Sequence, residues 1–215
     1  MDSIGITRII AIIGIVVALL GIFFRLRDIR HRPFRKDFSR ERGSPARGIL
    51  FAFTLGMAPW EKESTRIHWI AYVRGIFFHI GIFTAFAVLL VSPWLDLLPA
   101  WLTWAAAAIT AIGALFGFAG ILMRLAGPNE RMLSLPDDYA SVILTSVFTA
   151  LASATLIWPS ILSAFYVMTG LMMAYIPISK IRHCVYFFYS KFLFGFNFGR
   201  RGVLGQPKGK YAEER

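Results

Sequence analysis

Apolar runs of roughly 20 residues, the length a helix needs to cross a bilayer, recur five times along this chain, and every Lys/Arg-rich stretch falls at or beyond their ends. The runs cover 4–24, 67–91, 98–123, 139–158 and 160–181. This pattern predicts an all-α integral membrane protein, a bundle of five transmembrane helices. Composition agrees: 57% of the 215 residues are hydrophobic and 16% charged, where a soluble domain has about 45–50% and 25%. No polar stretch is long enough to bury a core of its own. The formal charge of +11 is a membrane-orientation signal and not a nucleic-acid footprint, because the basic residues sit in loops between spans.

With the N-terminus outside, 22 of the 23 Lys and Arg fall on the cytoplasmic side and Arg8 alone lies outside. The expected topology is therefore N-terminus outside and C-terminus cytoplasmic, in the inner (plasma) membrane of a prokaryote. The first run is read as a retained helix, since it has no small-residue cleavage site. Residues 25–66 form a basic cytoplasmic loop with a short apolar segment, 48–60, that is too short to span and is assigned to the interface. The expected organisation is a transmembrane domain over 1–190 and a basic tail over 191–215. Gly113-x-x-x-Gly117 reads as close helix packing. Asp137 and Asp138 read as the capped start of the fourth helix. The single Cys184 excludes an internal disulfide, a C-x-x-C metal site and covalent haem attachment.

Chemistry concentrates in the histidines. His31 lies in the basic loop and reads as solvated; His68, at the inner mouth of the second span, reads as interfacial. His79 sits among Ile76, Phe77, Phe78, Ile80 and Ile82 with no polar neighbour in sequence, and an ionisable group inside a span is costly and commonly functional. It lies five residues beyond Arg74, about 7–8 Å deeper at roughly 1.5 Å per residue. His183 stands where the fifth span leaves the membrane. The two imidazoles are thus expected at comparable depth on the inner side, and two facing helices can supply both axial ligands of a haem iron. The alternative is a histidine that only hydrogen-bonds a neighbouring helix, with His183 a plain interfacial residue.

Ile76–Ile82 and Ile176–His183 resemble the second and fifth spans of the nitrate reductase gamma-subunit family, which includes the cytochrome b subunits of sulfite-reductase-associated and heterodisulfide reductase membrane complexes. The five-span layout is similar as well. The resemblance implies a b haem held by His79 and His183. The family's second haem would need histidines near Leu89 and Phe165, and this sequence has none there, so one haem is expected. The resemblance also implies electron relay between membrane quinone and a cytoplasmic iron–sulfur subunit, within a hetero-oligomeric complex. Arg74, Arg124 and Lys180 are the expected propionate partners, and His68 and Trp60 the expected quinone vicinity. The basic segment 25–47 and the tail from Lys191 are candidate docking or anionic-lipid surfaces. The competing expectation is a haem-free structural anchor for soluble redox subunits. A small transporter or lipid-modifying enzyme ranks last, because the spans show neither paired broken helices nor inverted repeats, and no acidic groups.

Overall fold

Without water in the hydrocarbon layer, a spanning segment must pair its backbone polar groups internally, and an α-helix does so. A computed structural model, describing residues 3–31, 38–61 and 63–204, is all-helical over them, with no strand. Among the described residues five segments are long and apolar enough to cross a membrane: Ser3–Arg30, Trp69–Leu97, Ala100–Ala126, Pro136–Ile157 and Pro159–Ile178. In chain order the α-helices are α1 (Ser3–Arg30), α2 (Pro45–Phe53), α3 (Glu63–Ile67), α4 (Trp69–Val91), α5 (Ala100–Ala126), α6 (Pro128–Leu133), α7 (Pro136–Ile157), α8 (Leu162–Tyr175) and α9 (His183–Arg200). They fall into two compact units, Met1–Arg27 with Ile70–Arg182, and Asp28–Trp69 with His183–Arg215. The boundary between the compact units falls after Arg182, and residues 191–200 belong to α9.

In unit 1 the helices meet through small residues, as expected where lipid removes any hydrophobic drive between them. A Cβ on Gly81 of α4 would come within 2.6 Å of the Gly113 Cα on α5. One turn away Phe77 stacks on Phe116 at 5.2 Å. Ser153 of α7 donates its hydroxyl to the Ala107 carbonyl of α5 at 2.8 Å. Against α8, α7 stacks Phe148 on Phe165 at 5.3 Å, and both rings are fully buried. Helix α1 runs parallel to α8, with Gly14 against Gly170 and Gly21 against Pro177, and with the Arg8 guanidinium 5.7 Å from the Tyr166 ring centre. The core gathers Ala85, Val88, Phe148, Phe165, Met168 and Met172.

The paired aspartates do more than cap. Asp138 accepts the Leu135 N–H at 2.9 Å, closing the first turn of α7, and its other contact is the Lys180 ammonium at 2.6 Å. Asp137 accepts from the Tyr175 hydroxyl at 2.6 Å, the Lys180 N–H at 2.9 Å and the Ser141 hydroxyl at 3.3 Å. It thereby ties the start of α7 to the end of the fifth span.

The fifth span, Pro159–Ile178, lies close to expectation, but its helix is interrupted at the C-terminal end. Its α-helix ends at Tyr175 and does not continue to residue 181. Pro177 has no N–H to donate and crowds the preceding turn, and Ile176–Ile178 and Lys180–Arg182 are single 3-10 turns. His183 is consequently the first residue of a new helix.

Unit 2 is built on α2 and α9. Ser44 caps α2 by accepting the Arg47 N–H, and Pro45 occupies the first turn, where its missing donor costs nothing. The helices touch backbone to backbone: a Cβ on Gly195 would lie 2.6 Å from the Ile49 Cα, and one on Gly199 would lie 2.7 Å from the Gly48 Cα. Arg42 and Gly43 both donate their N–H to the Arg200 carbonyl at 3.0 Å, and the Arg200 side chain pairs with Glu41 at 2.8 Å. Phe53 lies against Phe187 and Phe188.

Candidate haem-ligand site on α4

Helix α4 has two faces. Phe78, Gly81, Ala85 and Val88 repeat at helical spacing and are buried. His79 stands on the other side with Ile76, Ile80 and Phe83, all exposed. Its ring is 6.1 Å from Phe78 and 6.4 Å from Phe83, centre to centre. The imidazole Nδ1 lies 2.7 Å from the Gly75 carbonyl oxygen. A carbonyl can only accept, so Nδ1 carries a proton, and in the neutral ring Nε2 then holds the lone pair. That is the tautomer in which a histidine ligates a metal, with its other nitrogen held by a backbone carbonyl.

Gly75 itself is the second notable feature. A Cβ there would meet nothing within 4 Å, whereas Gly81 is accounted for by Gly113. Gly75 and His79 are four residues apart and so lie one above the other on the same face. A bare backbone below an oriented imidazole, flanked by apolar side chains, has the donor and the surface that the edge and face of a haem require. The residues around His79 therefore fit such a group.

The other expected residues are distributed as follows. Arg74 is five residues from His79, about 140° around the helix at roughly 100° per residue, and turns into the α4–α5 seam, where Nη1 donates to the Phe116 carbonyl at 3.4 Å. Arg124 donates to the Ser134 hydroxyl at 3.0 Å, and Lys180 pairs with Asp138. Leu89 packs against the core and Phe165 lies within it, so apolar contacts fill the positions where a second ligand pair would stand. His79 belongs to unit 1, while His183, exposed at the start of α9, belongs to unit 2; no single unit holds both imidazoles. His31, His68 and Trp60 are exposed in unit 2.

Sequence reading passed over two features. Asp137 as a three-donor acceptor has no linear signature, because its partners lie four, 38 and 43 residues away. The Gly195-x-x-x-Gly199 spacing was open to the same reading as Gly113-x-x-x-Gly117, and its partner is Gly48. No known protein family, curated protein or solved structure matches this chain.

Proposed function

We propose that this chain is a membrane-anchoring cytochrome b subunit of a respiratory complex, with its N-terminus outside and its C-terminus cytoplasmic, relaying electrons between membrane quinone and a cytoplasmic iron–sulfur partner. A single b haem, when bound, takes up and releases one electron at a time. The observation that carries the reading is the Nδ1–Gly75 bond, which orients the His79 imidazole on an outward, apolar face beside a backbone that Gly75 leaves uncovered. His183 is the second axial ligand by resemblance to the nitrate reductase gamma-subunit family. The placement of Lys and Arg supports the orientation: Arg8 is the only one of the 23 outside under this topology.

A reduced-minus-oxidised spectrum and a haem-to-chain ratio test it. The wild type should show b-haem bands at about one haem per chain. His79→Ala and His183→Ala should each lose the bands, while His31→Ala should keep them. Haem-supplemented wild-type protein without b-haem bands would end this reading.

A second reading, a haem-free anchor, is favoured by the filled interior of unit 1, where Phe148 and Phe165 are fully buried and stacked. It expects His79→Ala and His183→Ala to leave assembly with soluble subunits and electron transfer unchanged.

A further inference from the structure

The α4–α5 seam holds two arginines that the ligand geometry of His79 leaves unused. The helices are antiparallel in a register set by Gly81 opposite Gly113 and by Arg74 opposite Gly120. Arg124 follows Gly120 by four residues and so occupies the same face of α5 one turn further on. The Arg74 guanidinium rests directly on Gly120, where any side chain would collide with its Nη1. The two side chains therefore share one seam, and their like charges act on each other.

Neither forms an ion pair. Among the described residues no carboxylate lies within ion-pair distance of Arg74 or Arg124, and the ion pairs formed are Lys180–Asp138 and Arg200–Glu41. Asp138, whose field reaches Arg124, is already held by Lys180 and the Leu135 N–H. Arg74 spends one donor on the Phe116 carbonyl, and its Nε is buried with no hydrogen-bond partner. Arg124 spends one on Ser134, whose own hydroxyl proton goes to the Glu130 carbonyl. A guanidinium has five N–H donors in a planar fork. Most donors of both side chains thus remain for an acceptor from outside the chain, and a buried donor left unmet is costly.

The acceptor is identified by charge, shape and depth. Two guanidinium forks in one seam match a tetrahedral oxyanion, whose oxygens accept bidentate bonds from such forks. Arg124 is two residues from the end of α5 and Arg74 five from the start of α4, which puts both near a membrane surface, where phosphates of lipid headgroups lie. We infer that the Arg74–Arg124 seam is a binding site for a phosphate group, supplied by an anionic phospholipid headgroup or by a soluble phosphate ester.

The test uses the full chain, delipidated in detergent, with native mass spectrometry and thermal unfolding as readouts. The probes are phosphatidylglycerol, diacylglycerol as its phosphate-free counterpart, and glycerol 3-phosphate. Retention of phosphatidylglycerol with at least tenfold weaker diacylglycerol binding is expected if lipid is the source. Stabilisation by glycerol 3-phosphate alone would assign the soluble source to the same site. Arg74→Gln and Arg124→Gln should each weaken binding at least tenfold, and Arg131→Gln on exposed α6 should not. Arg124 is close to the helix end, so its variant keeps the test decisive if Arg74→Gln fails to fold. Equal loss in Arg131→Gln, or equal binding of diacylglycerol, would overturn the site. His79→Ala should bind phosphate as the wild type does, independently of the haem reading; loss there would return both arginines to the haem and overturn the inference as well.

Discussion

Gly75 and Gly81 are six residues apart on one helix and do opposite things. At Gly81 the missing side chain lets α4 and α5 close until the Gly113 Cα would be 2.6 Å from an added Cβ. At Gly75 an added Cβ would meet no atom beyond the local helix backbone within 4 Å. A glycine in a spanning helix is ordinarily explained by close packing, and Gly81, Gly14 and the Gly48–Gly195–Gly199 contact of unit 2 all follow that rule. Gly75 does not, and it is the one beneath His79. The contrast separates an assembly face of α4 from a face that leaves backbone and imidazole accessible.

The strongest way to break this comparison is to put the same side chain at both positions. Gly81→Leu forces apart two backbones, and overpacking of this kind costs about 1–3 kcal/mol or more. Gly75→Leu fills space beside the helix and should change stability by less than about 0.5 kcal/mol, as outward substitutions usually do. Unfolding in mixed micelles measures both. Equal losses would mean that the two faces are not distinct.

A smaller effect sharpens the role of the packed side. Asp137 fastens α7 to the chain just beyond α8 through Tyr175 and Lys180. Asp137→Ala leaves the Tyr175 hydroxyl and the Lys180 N–H without their acceptor, at a cost of about 1–2 kcal/mol. Asp138→Ala removes a helix cap and an ion pair whose lysine is half exposed, and should cost about 1 kcal/mol. A larger loss in Asp138→Ala than in Asp137→Ala, read by the same unfolding measurement, would reverse the assignment.

The spans were legible because a bilayer imposes one length and one polarity on any helix that crosses it. Ends within a few residues of expectation at Val91 and Ile157 follow from the Pro93 and Pro159 that succeed them. The fifth span was less legible. Its apolar run continues through Ile181, but Pro177 removes a backbone donor and ends the α-helix at Tyr175. Hydropathy does not register that break. His79 stood out as a polar residue in an apolar run; the direction it faces depends on which side of α4 carries Gly81 and Ala85, and that is fixed by the small faces of α5 and α7. Arg74 shows the same limit. Its position in sequence places it near His79, and its helical phase places it in a different seam.

The smallest stability change carries the most specific functional consequence. Gly75→Leu adds a branched side chain on the face that holds the His79 ring, one turn from it, while leaving the buried stripe of Phe78, Gly81 and Ala85 untouched. The Gly75 carbonyl that holds Nδ1 belongs to the backbone and survives the substitution, so the tautomer of His79 is kept. What changes is access to the surface below the imidazole. If that surface accommodates a macrocycle, haem content per chain should fall at least severalfold in Gly75→Leu and stay near the wild-type value in Gly75→Ala, with both variants unfolding within about 0.5 kcal/mol of the wild type. Unchanged haem content in Gly75→Leu would mean that the open face of α4 is a lipid surface only, and that the glycine does nothing for the ligand above it.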